Sequence, residues 1–408
     1  MNKTIYDVIV IGAGAAGLFY AASDTLCKDC RRLILEKTDK PGQKLLMSGN
    51  GACNITHGGS IKDFIYRYGD DGSKIRTCLY RHSNLELMDF LEEGGVKLLI
   101  REDGKVFPAS MKASDILELL LKKIAERGYE LRLNSGVCGI FSDAHKLVTV
   151  RLSGGTELLT KKLVIATGGA SYPATGSDGN FFELMERDIG INVTRLKPAL
   201  APVYVQNYPF SDIPGVSLKD VAVSSGPHSA RGALLFTHKG FSGPAILHIS
   251  QYVHPGSILH INFLPERNLP DVFRQLKSEQ PANGRGIANY LSQSFGLPKA
   301  LTEKMFADPS RKVSGIGHKE LENVAHLMMD RRFSVSGTGG WNEAMVTAGG
   351  VALPEIDLKK MSLIDCPAIR IIGEALDING DTGGYNLQFA YSSARTAHEP
   401  LQSKEIQA

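Results

Sequence analysis

The sequence predicts an α/β protein whose main domain is divided in sequence by an insertion. A run of β-branched residues, Val8 to Ile11, leads directly into a glycine-rich turn and a helical pattern. From about Arg195 the pattern changes to short β-rich runs and then to helical spacing, and near Trp341 the α/β pattern resumes. The simplest architecture is therefore a Rossmann-like domain that the chain leaves for an insertion and then re-enters.

The first turn has the pattern of a dinucleotide-binding site. Gly12, Gly14 and Gly17 form G-x-G-x-x-G after the strand, and a helix predicted from Ala15 to Leu26 offers its N-terminal N–H groups to phosphates. The next strand ends in Glu36, about twenty residues further on. Its carboxylate can accept both ribose hydroxyls and would repel a 2′-phosphate, so the site suits FAD or NAD better than NADP.

An irregular run follows from Gln43 to Thr56, with glycines and small polar side chains but no period of 2 or 3.6. Its backbone polar groups need partners, and a bound cofactor would be one. A buried strand from Lys162 ends in small residues, Thr167, Gly168 and Gly169, which allow close backbone approach. The other elements predicted here are helices over 85–93 and 114–127, strands over 105–108 and 130–133, and a hairpin of 146–152 with 157–159.

The insertion is predicted to contain a small antiparallel β unit followed by helices. Its strands are predicted at 202–205, 216–223, 233–237 and 258–263, and its helices at 272–277, 287–295, 299–306 and 319–329. The helical part carries a small basic bias, which is more often a solvated helical face than an RNA surface. The predicted domains are 1–194 with 342–408 for the cofactor domain, 195–268 for the β-rich insert and 269–341 for the helical insert.

The closing segment, Leu376 to Ala390, is a glycine turn followed by a helix. The N-terminus of this helix is a second anion-stabilising site, so a long ligand can be held at both ends. The first turn would bind the pyrophosphate of FAD, Glu36 its adenosine ribose and Glu374 its ribityl hydroxyls. The N–H groups of Gly383 to Asn386 would face the flavin pyrimidine edge. NAD alone would not need the second site, so the sequence favours FAD.

Composition sets broad limits. The chain has 408 residues, of which 43% are hydrophobic and 22% charged, as in an ordinary globular protein of two or three domains. No segment resembles a membrane helix or a signal peptide, so we expect a cytoplasmic protein with no membrane association. A net charge of +3 neither requires nor forbids nucleic acid. The six cysteines are expected to be reduced, and Cys27 and Cys30 form a C-x-x-C without a second pair, so no metal site is predicted.

Six motifs are spaced along almost the whole chain: GAGAAG at 12–17, GQKLLMSGNGACNIT at 42–56, ATGGASYPATGSDG at 166–179, LLFTHKGFSGPAIL at 234–247, VTAGGV at 346–351 and GEALDINGDTGGYNLQFA at 373–390. In this order they resemble the BaiN/RdsA family of bacterial NAD(P)/FAD-dependent oxidoreductases, also called YhiN-like or aminoacetone-oxidase-like flavoproteins. The resemblance implies a FAD-binding domain split in sequence, with an inserted antiparallel β-barrel-like domain and a small helical domain.

The resemblance also implies that the first turn, Glu36, the Lys44–Asn54 loop and the Gly373–Leu387 segment hold FAD. The predicted cofactor-binding residues are Gly12, Gly14, Ala15, Ala16, Gly17, Glu36, Lys37, Lys44, Ser48, Gly49, Asn50, Gly51, Cys53, Asn54, Val137, Thr167, Gly168, Gly169, Gly373, Glu374, Asp377, Gly383, Gly384, Tyr385, Asn386 and Leu387.

The chain departs from the family pattern at three places. Ala52 stands where the family usually has arginine, Leu363 to Ala368 where it has a stretch with lysine, and Ser392 to Arg395 where it has a glycine-rich helix end. The missing arginine affects expected contacts with substrate or with the pyrimidine edge. It does not affect the expectation of FAD binding.

The family's functional assignments imply hydride addition to an activated double bond. One branch reduces a uridine of large-subunit ribosomal RNA to dihydrouridine, and another name comes from reduction of a steroid C=C bond. In either reaction flavin N5 delivers hydride and an acid protonates the other carbon. Cys53, His57 and His238 are candidate acids, although a core cysteine and locally hydrogen-bonded histidines are the commoner interpretation. Tyr172 and Tyr385 would either contact flavin or only pack.

The electron donor is open at this level. The sequence has no second strand-glycine-helix unit for a nicotinamide, so NAD(P)H would bind transiently in the substrate cleft or near the insertion, or another donor would act. A flavin-dependent amine or metabolite oxidase is an alternative enzyme. A flavin-binding redox sensor or RNA-binding protein without turnover is the non-enzyme alternative. No stable protein partner is implied.

Overall fold

The structure is a computed structural model that describes residues 4–25, 29–142, 147–280 and 284–398. The chain forms two compact units, one of Met1–Lys197 with Val346–Ala408 and one of Pro198–Met345. The first unit is therefore built from both ends of the sequence. The finer division at 194/195, 268/269 and 341/342 stays a prediction.

A seven-stranded sheet forms the centre of the first unit. Its strands lie in the order Ile356–Asp357, Ser362–Leu363, Ile369–Ile371, Leu163–Ile165, Val8–Ile11, Arg32–Leu35 and Tyr129–Arg132. The five strands from Ile369–Ile371 onward are parallel. Val8–Ile11 is buried along its whole length, which explains its uninterrupted apolar sequence. The predicted α/β fold is confirmed.

The helices of the first unit are Ala15–Ala22, Gln43–Met47, Ile61–Phe64, Arg76–Arg81, Asn84–Glu93, Ala113–Glu126, Asn180–Ile189 and Tyr385–Thr396. The first helix, Ala15–Ala22, is shorter than predicted because the Ser23 hydroxyl donates to the Phe19 carbonyl at 2.7 Å and the chain turns there. Leu26 lies outside the described residues. The predicted irregular run contains the short helix Gln43–Met47 and then a 3₁₀ turn, Ser48–Gly51.

Two smaller sheets complete the first unit. One contains Ile5–Tyr6, Glu157–Thr160, Val148–Leu152 and Val137–Ser142, and the other Thr56–His57, Lys105–Pro108 and Leu98–Ile100. The predicted hairpin is confirmed for Val148–Leu152 with Glu157–Thr160, and Lys146 lies outside the described residues. Other short elements of the first unit are Ile65–Asp71, Pro173–Thr175, Val346–Ala348, Leu353–Glu355 and Gly373–Ala375. The short strand Lys197–Ala199 lies in the sequence where the first unit ends and the second begins.

The second unit contains a closed barrel of Val203–Val205, Gly240–Ser242, His228–Phe236, Ser217–Ser225, Ile258–Asn262 and Arg331–Thr338. All its pairings are antiparallel, which confirms the predicted β-barrel-like insert. The helical prediction for 269–341 is wrong for Arg331–Thr338. Phe333 and Val335 are buried and alternate with more accessible neighbours, and this period of two indicates a strand.

The helices of the second unit are Pro244–Ile249, Leu269–Glu279, Ile287–Phe295, Lys299–Lys304, His318–Met329 and Gly340–Glu343, with 3₁₀ turns at Ser250–Tyr252 and Val313–Gly315. Helices Leu269–Glu279 to His318–Met329 share one apolar core with the barrel strands.

In the part of the chain that the structure describes, no helix is long and apolar enough to cross a bilayer, and no group of His, Cys, Asp and Glu could hold a metal ion. Cys53, Cys78, Cys138 and Cys366 are free thiols. Cys30 is disulfide-bonded, so the expectation of six reduced cysteines is wrong. Cys27 lies outside the described residues.

Candidate cofactor site

The first turn has the geometry that its glycines predict. Gly12 has φ +99°, and a Cβ there would lie 2.5 Å from the Ala166 carbonyl oxygen. A Cβ on Gly17 would lie 2.0 Å from the Gly12 oxygen, whereas Gly14 has no atom within 4 Å on that side. The first helix begins here without a side-chain cap and without an acid in its first turn. Its N-terminus is therefore free to face an anion.

The Glu36 carboxylate is held beside this turn and is 8% exposed. Its Oε2 accepts from the Ala13 N–H at 2.9 Å, and its Oε1 accepts from the N–H and hydroxyl of Thr38 at 2.9 and 2.8 Å. A carboxylate oxygen accepts about two hydrogen bonds, so the Oε2 atom retains capacity for one ligand hydroxyl.

Thr167 follows the central strand Leu163–Ile165 and lies next to the first turn, since a Cβ on Gly12 would be 3.2 Å from its Cα. Its hydroxyl is buried and has no hydrogen-bond partner among the described residues. A buried, unpaired hydroxyl costs free energy, and buried polar groups of this kind need an explanation such as a ligand. This atom fits a polar ligand at the turn.

The loop after Met47 has a left-handed backbone at several positions, namely Gly49, Asn50, Gly51 and Cys53, with φ of 56°, 57°, 85° and 57°. Asparagine tolerates this conformation, so the strained position is Cys53, and strain of this kind is concentrated at functional sites.

Asn54 connects this loop to the other end of the chain. In the orientation that satisfies its surroundings, the side-chain amide donates to the carbonyls of Val106 and Thr56 at 3.2 and 3.0 Å and accepts from the Gly384 N–H at 3.1 Å. A Cβ on Gly384 would lie 2.5 Å from the Thr56 oxygen, so only glycine allows this approach.

A cluster of polar side chains is centred on Glu374. The ammonium of Lys44 donates to Glu374 Oε1 and Oε2 at 3.0 and 2.7 Å and to the Ser171 hydroxyl. Oε1 also accepts from the Ser171 hydroxyl at 3.0 Å and from the Thr347 N–H at 2.8 Å. Four segments distant in sequence therefore meet at one carboxylate, which we call the Glu374 cluster: Lys44, Ser171, Thr347 and Glu374.

The closing helix, Tyr385–Thr396, begins at Gly384 with no side-chain cap and no acid in its first turn. Asn386 fixes the preceding turn, since its amide accepts from the Gly380 N–H and donates to the Gly380 carbonyl, both at 2.8 Å. Because Asn54 occupies the Gly384 N–H, the backbone N–H groups of Gly383, Tyr385 and Asn386 stay available for a ligand. This narrows the predicted set of Gly383 to Asn386.

The first helix and the closing helix run parallel. Phe19 packs on Tyr391 with ring centroids 5.4 Å apart, and four residues further along each helix Arg395 donates to the Ser23 carbonyl at 3.3 Å. His398 then hydrogen-bonds the Tyr20 carbonyl at 2.9 Å. The uncapped N-termini therefore lie at the same end of the pair.

The surroundings of Cys53 determine how well its thiol could act as the predicted acid. Its thiol is fully buried, and burial raises its pKa to about 11, although a hydrogen bond with Ser48 acts in the opposite direction. Desolvation disfavours the thiolate, so this thiol lacks the near-neutral pKa that would suit a proton donor. The thiol keeps its proton at neutral pH.

His57 has the local hydrogen bonds of a structural histidine. Its Nδ1 accepts from the Gly59 N–H at 3.0 Å, so its Nε2 carries the proton and donates to the Asp103 carbonyl at 3.1 Å. The ring stacks on Tyr385 with centroids 5.6 Å apart, and Tyr385 also packs against Phe64 and Tyr68. Both rings therefore pack in an aromatic cluster.

The remaining predicted residues differ in location. His238 lies in the second unit, exposed in the turn between His228–Phe236 and Gly240–Ser242. Lys37 forms an ion pair with Asp178 at 2.8 Å, and Val137 is the first residue of a strand in the four-stranded sheet. The Asp377 N–H donates to the Val351 carbonyl, and Leu387 packs on the apolar core. Tyr172 has a left-handed backbone, φ 55°, at the start of a 3₁₀ turn.

Sequence reasoning missed Ser171 and Thr347, which complete the Glu374 cluster. Both lie in motifs used for the family resemblance, at 166–179 and 346–351. The motif positions were therefore a signal, although neither hydroxyl residue is distinguished by periodicity.

Comparisons with known proteins agree with this architecture. The chain is 31% identical over 411 residues to the ribosomal RNA dihydrouridine synthase of Escherichia coli (strain K12), covering 97% of this chain and 98% of that protein. It is 26% identical to the 3-dehydro-bile acid delta(4,6)-reductase of Clostridium scindens, covering 95% of this chain and 97% of that protein.

Among solved structures, the 3-ketosteroid-delta4-(5alpha)-dehydrogenase of Rhodococcus jostii RHA1 is similar in fold, with a TM-score of 0.51, 16% identity and 97% coverage of both chains. Residues 6–399 match the family described as HI0933-like protein Rossmann domain. The predicted family is thereby confirmed, and the chain belongs to the HI0933-like family.

Proposed function

We propose that this chain is an FAD-dependent oxidoreductase that adds hydride to an activated C=C bond, with a uridine of large-subunit ribosomal RNA as the preferred substrate. The observation that carries the proposal is the pair of parallel helices whose uncapped N-termini lie at one end of the first unit. The 31% identity to a protein named ribosomal RNA dihydrouridine synthase supports the substrate class and a cytoplasmic location.

The first unit fits FAD through several groups. Gly14 leaves open space where a pyrophosphate would approach the first helix, and Glu36 has capacity for a ribose hydroxyl. Thr167 has a buried hydroxyl that no described residue satisfies. The closing helix would face the edge where negative charge accumulates. Bound flavin would supply the hydride.

Protonation of the second carbon needs an acid that holds a proton at neutral pH. Cys53 meets this condition, because burial raises its pKa to about 11. The His57 proton is already donated to the Asp103 carbonyl. A fully buried thiol with so high a pKa is a weak acid, so Cys53 does not carry the proposal. NAD(P)H is the proposed electron donor.

A small steroid-like enone is the second candidate substrate. A relative that is 26% identical over nearly its full length is named for reduction of a bile-acid derivative. Ala52 also removes the cation that the family usually places in this loop, and an uncharged substrate has less need of it.

The cofactor is tested by the absorbance spectrum of the purified protein, chromatography of released flavin, and anaerobic addition of NADH or NADPH. We expect flavin bands, released FAD, and bleaching by one nicotinamide.

Gly14→Asp should fold but lose FAD, because its side chain has space yet places a carboxylate at the phosphate site. Gly154→Asp, also without neighbours within 4 Å, is the matched control. A protein that cannot be reconstituted with FAD would refute the proposal.

The substrate is tested in cells that lack the gene. Their 23S-type ribosomal RNA should have lost a dihydrouridine, and the purified, reduced enzyme should restore it. If the dihydrouridine content is unchanged while a steroid enone oxidises the reduced enzyme, the small-molecule alternative is correct.

A further inference from the structure

Lys44 and Glu374 are the charged pair of the Glu374 cluster. Their polar atoms differ in how many further hydrogen bonds each can form. A lysine ammonium has three donors, and Lys44 directs them to Ser171 and to both oxygens of Glu374. Oε1 of Glu374 accepts from Lys44, Ser171 and Thr347. Among the described residues, Oε2 accepts a hydrogen bond from Lys44 alone.

The surroundings leave this arrangement little freedom. A Cβ on Gly169 would lie 2.2 Å from the Thr347 hydroxyl and 2.9 Å from Glu374 Oε1. The Thr347 hydroxyl accepts from the N–H groups of Ala170 and Ser171 at 2.7 and 3.2 Å. The side chains of Lys44 and Glu374 are about three-quarters buried, at 25% and 22% exposure, so solvent competes weakly with their contact.

From these contacts, and resting on the proposed flavin site, we infer that Lys44 is a positioning residue that does not itself bind the cofactor. It holds Glu374 so that Oε2 receives a hydroxyl of the ligand, and it neutralises the carboxylate beside a ligand that carries phosphates. This differs from direct binding of a phosphate by Lys44, for which the ammonium would need to release one of its present partners.

A double-mutant cycle on the affinity of the apoprotein for FAD separates these roles. We expect Lys44→Met and Glu374→Gln each to weaken FAD binding about tenfold, as loss of a charge-assisted hydrogen bond would. The double variant should be no weaker than the weaker single variant, because both substitutions remove one function. Lys44→Arg should restore most of the affinity, since arginine can hold the carboxylate with two hydrogen bonds.

Lys161→Met is the matched control, because Lys161 forms a comparable contact with Asp7 at 2.8 Å on the exposed surface. It should leave the FAD affinity unchanged. Thermal unfolding of each apoprotein identifies variants that fail to fold, and Ser171→Ala provides a second, milder test of the same cluster.

Multiplied losses in the double variant would mean that Lys44 binds FAD directly and would overturn the inference. Wild-type affinity in Lys44→Met would overturn it as well, while the proposed function would stand. Failure of the wild-type protein to bind FAD would instead refute the proposed function.

Discussion

Thr167 carries a buried hydroxyl that no described residue satisfies. Removing the hydroxyl should therefore stabilise the apoprotein and weaken its binding of FAD. For Thr167→Val we expect the free energy of unfolding of the apoprotein to rise by about 1 kcal/mol, with a loss of FAD affinity. Urea unfolding of the apoprotein and flavin titration measure the two effects.

Thr160→Val is the control for this substitution. The Thr160 hydroxyl is equally buried but donates to the Lys162 carbonyl at 2.8 Å. Its removal should lower the stability by about 1 kcal/mol. Equal destabilisation by both substitutions would show that Thr167 already has a partner in the apoprotein.

His398 should make stability depend on pH. Burial lowers its pKa from 6.5 to about 4, the charges of Lys162 and Arg395 act in the same direction, and Asp24 opposes them. The unfolded chain therefore binds more protons than the folded chain between these two pH values. The contribution of His398 to the free energy of unfolding should be constant above pH 6.5 and fall as the pH decreases toward 4.

The pH dependence is isolated by comparison with a variant. Urea unfolding of the wild-type protein and of His398→Gln at pH 7.5 and 5 gives the contribution of this side chain as the difference between their pH slopes. Identical slopes would contradict the assignment.

At the scale of elements, the start of the closing helix depends on Gly384. Gly384→Ala combines a left-handed φ of 94° with a Cβ 2.5 Å from the Thr56 oxygen. We expect a loss of more than ~2 kcal/mol in stability, together with loss of flavin. Gly155→Ala has φ 81° but no neighbour within 4 Å, so it should cost only about 1 kcal/mol. Denaturant unfolding of both variants measures the difference. Equal losses of stability would contradict the proposed clash between the new Cβ and the Thr56 oxygen.

The elements also show how far the sequence determines the site. The strand Val8–Ile11, its glycine turn and the helix after Gly384 were predicted because each has a local signature. The strand Arg331–Thr338 was missed because only two residues, Phe333 and Val335, mark its period of two, and its partners in the barrel, Val203–Val205 and Ile258–Asn262, lie far back in the chain. The parallel packing of helices Ala15–Ala22 and Tyr385–Thr396 was not predicted either, because contacts between distant segments leave no local pattern in the sequence.

The sequence indicated which types of residue form the candidate site, but it did not indicate which side chains hydrogen-bond one another. Glu374 was identified beside a glycine turn, but Ser171 and Thr347 reach it only through the fold. The Cys53 thiol is evident from the sequence, while its pKa depends on burial that only the folded chain creates.

At the scale of the molecule, the second unit should fold alone. Its barrel is closed, so no edge strand needs a partner, and its apolar core draws on residues of Pro198–Met345. A fragment of residues 198–345 should therefore unfold cooperatively with heat and retain near-ultraviolet circular dichroism. Non-cooperative unfolding would show that the unit depends on the rest of the chain.

The contact between Lys44 and Glu374 joins positions 330 residues apart in the sequence. On the ribosome, the first turn emerges long before its partner cluster and the closing helix have been synthesised. Nascent chains that end before Gly383 have the phosphate turn but lack the second helix N-terminus. We therefore expect chains that end before Gly383 not to retain the proposed cofactor, because they lack half of the groups that would hold it.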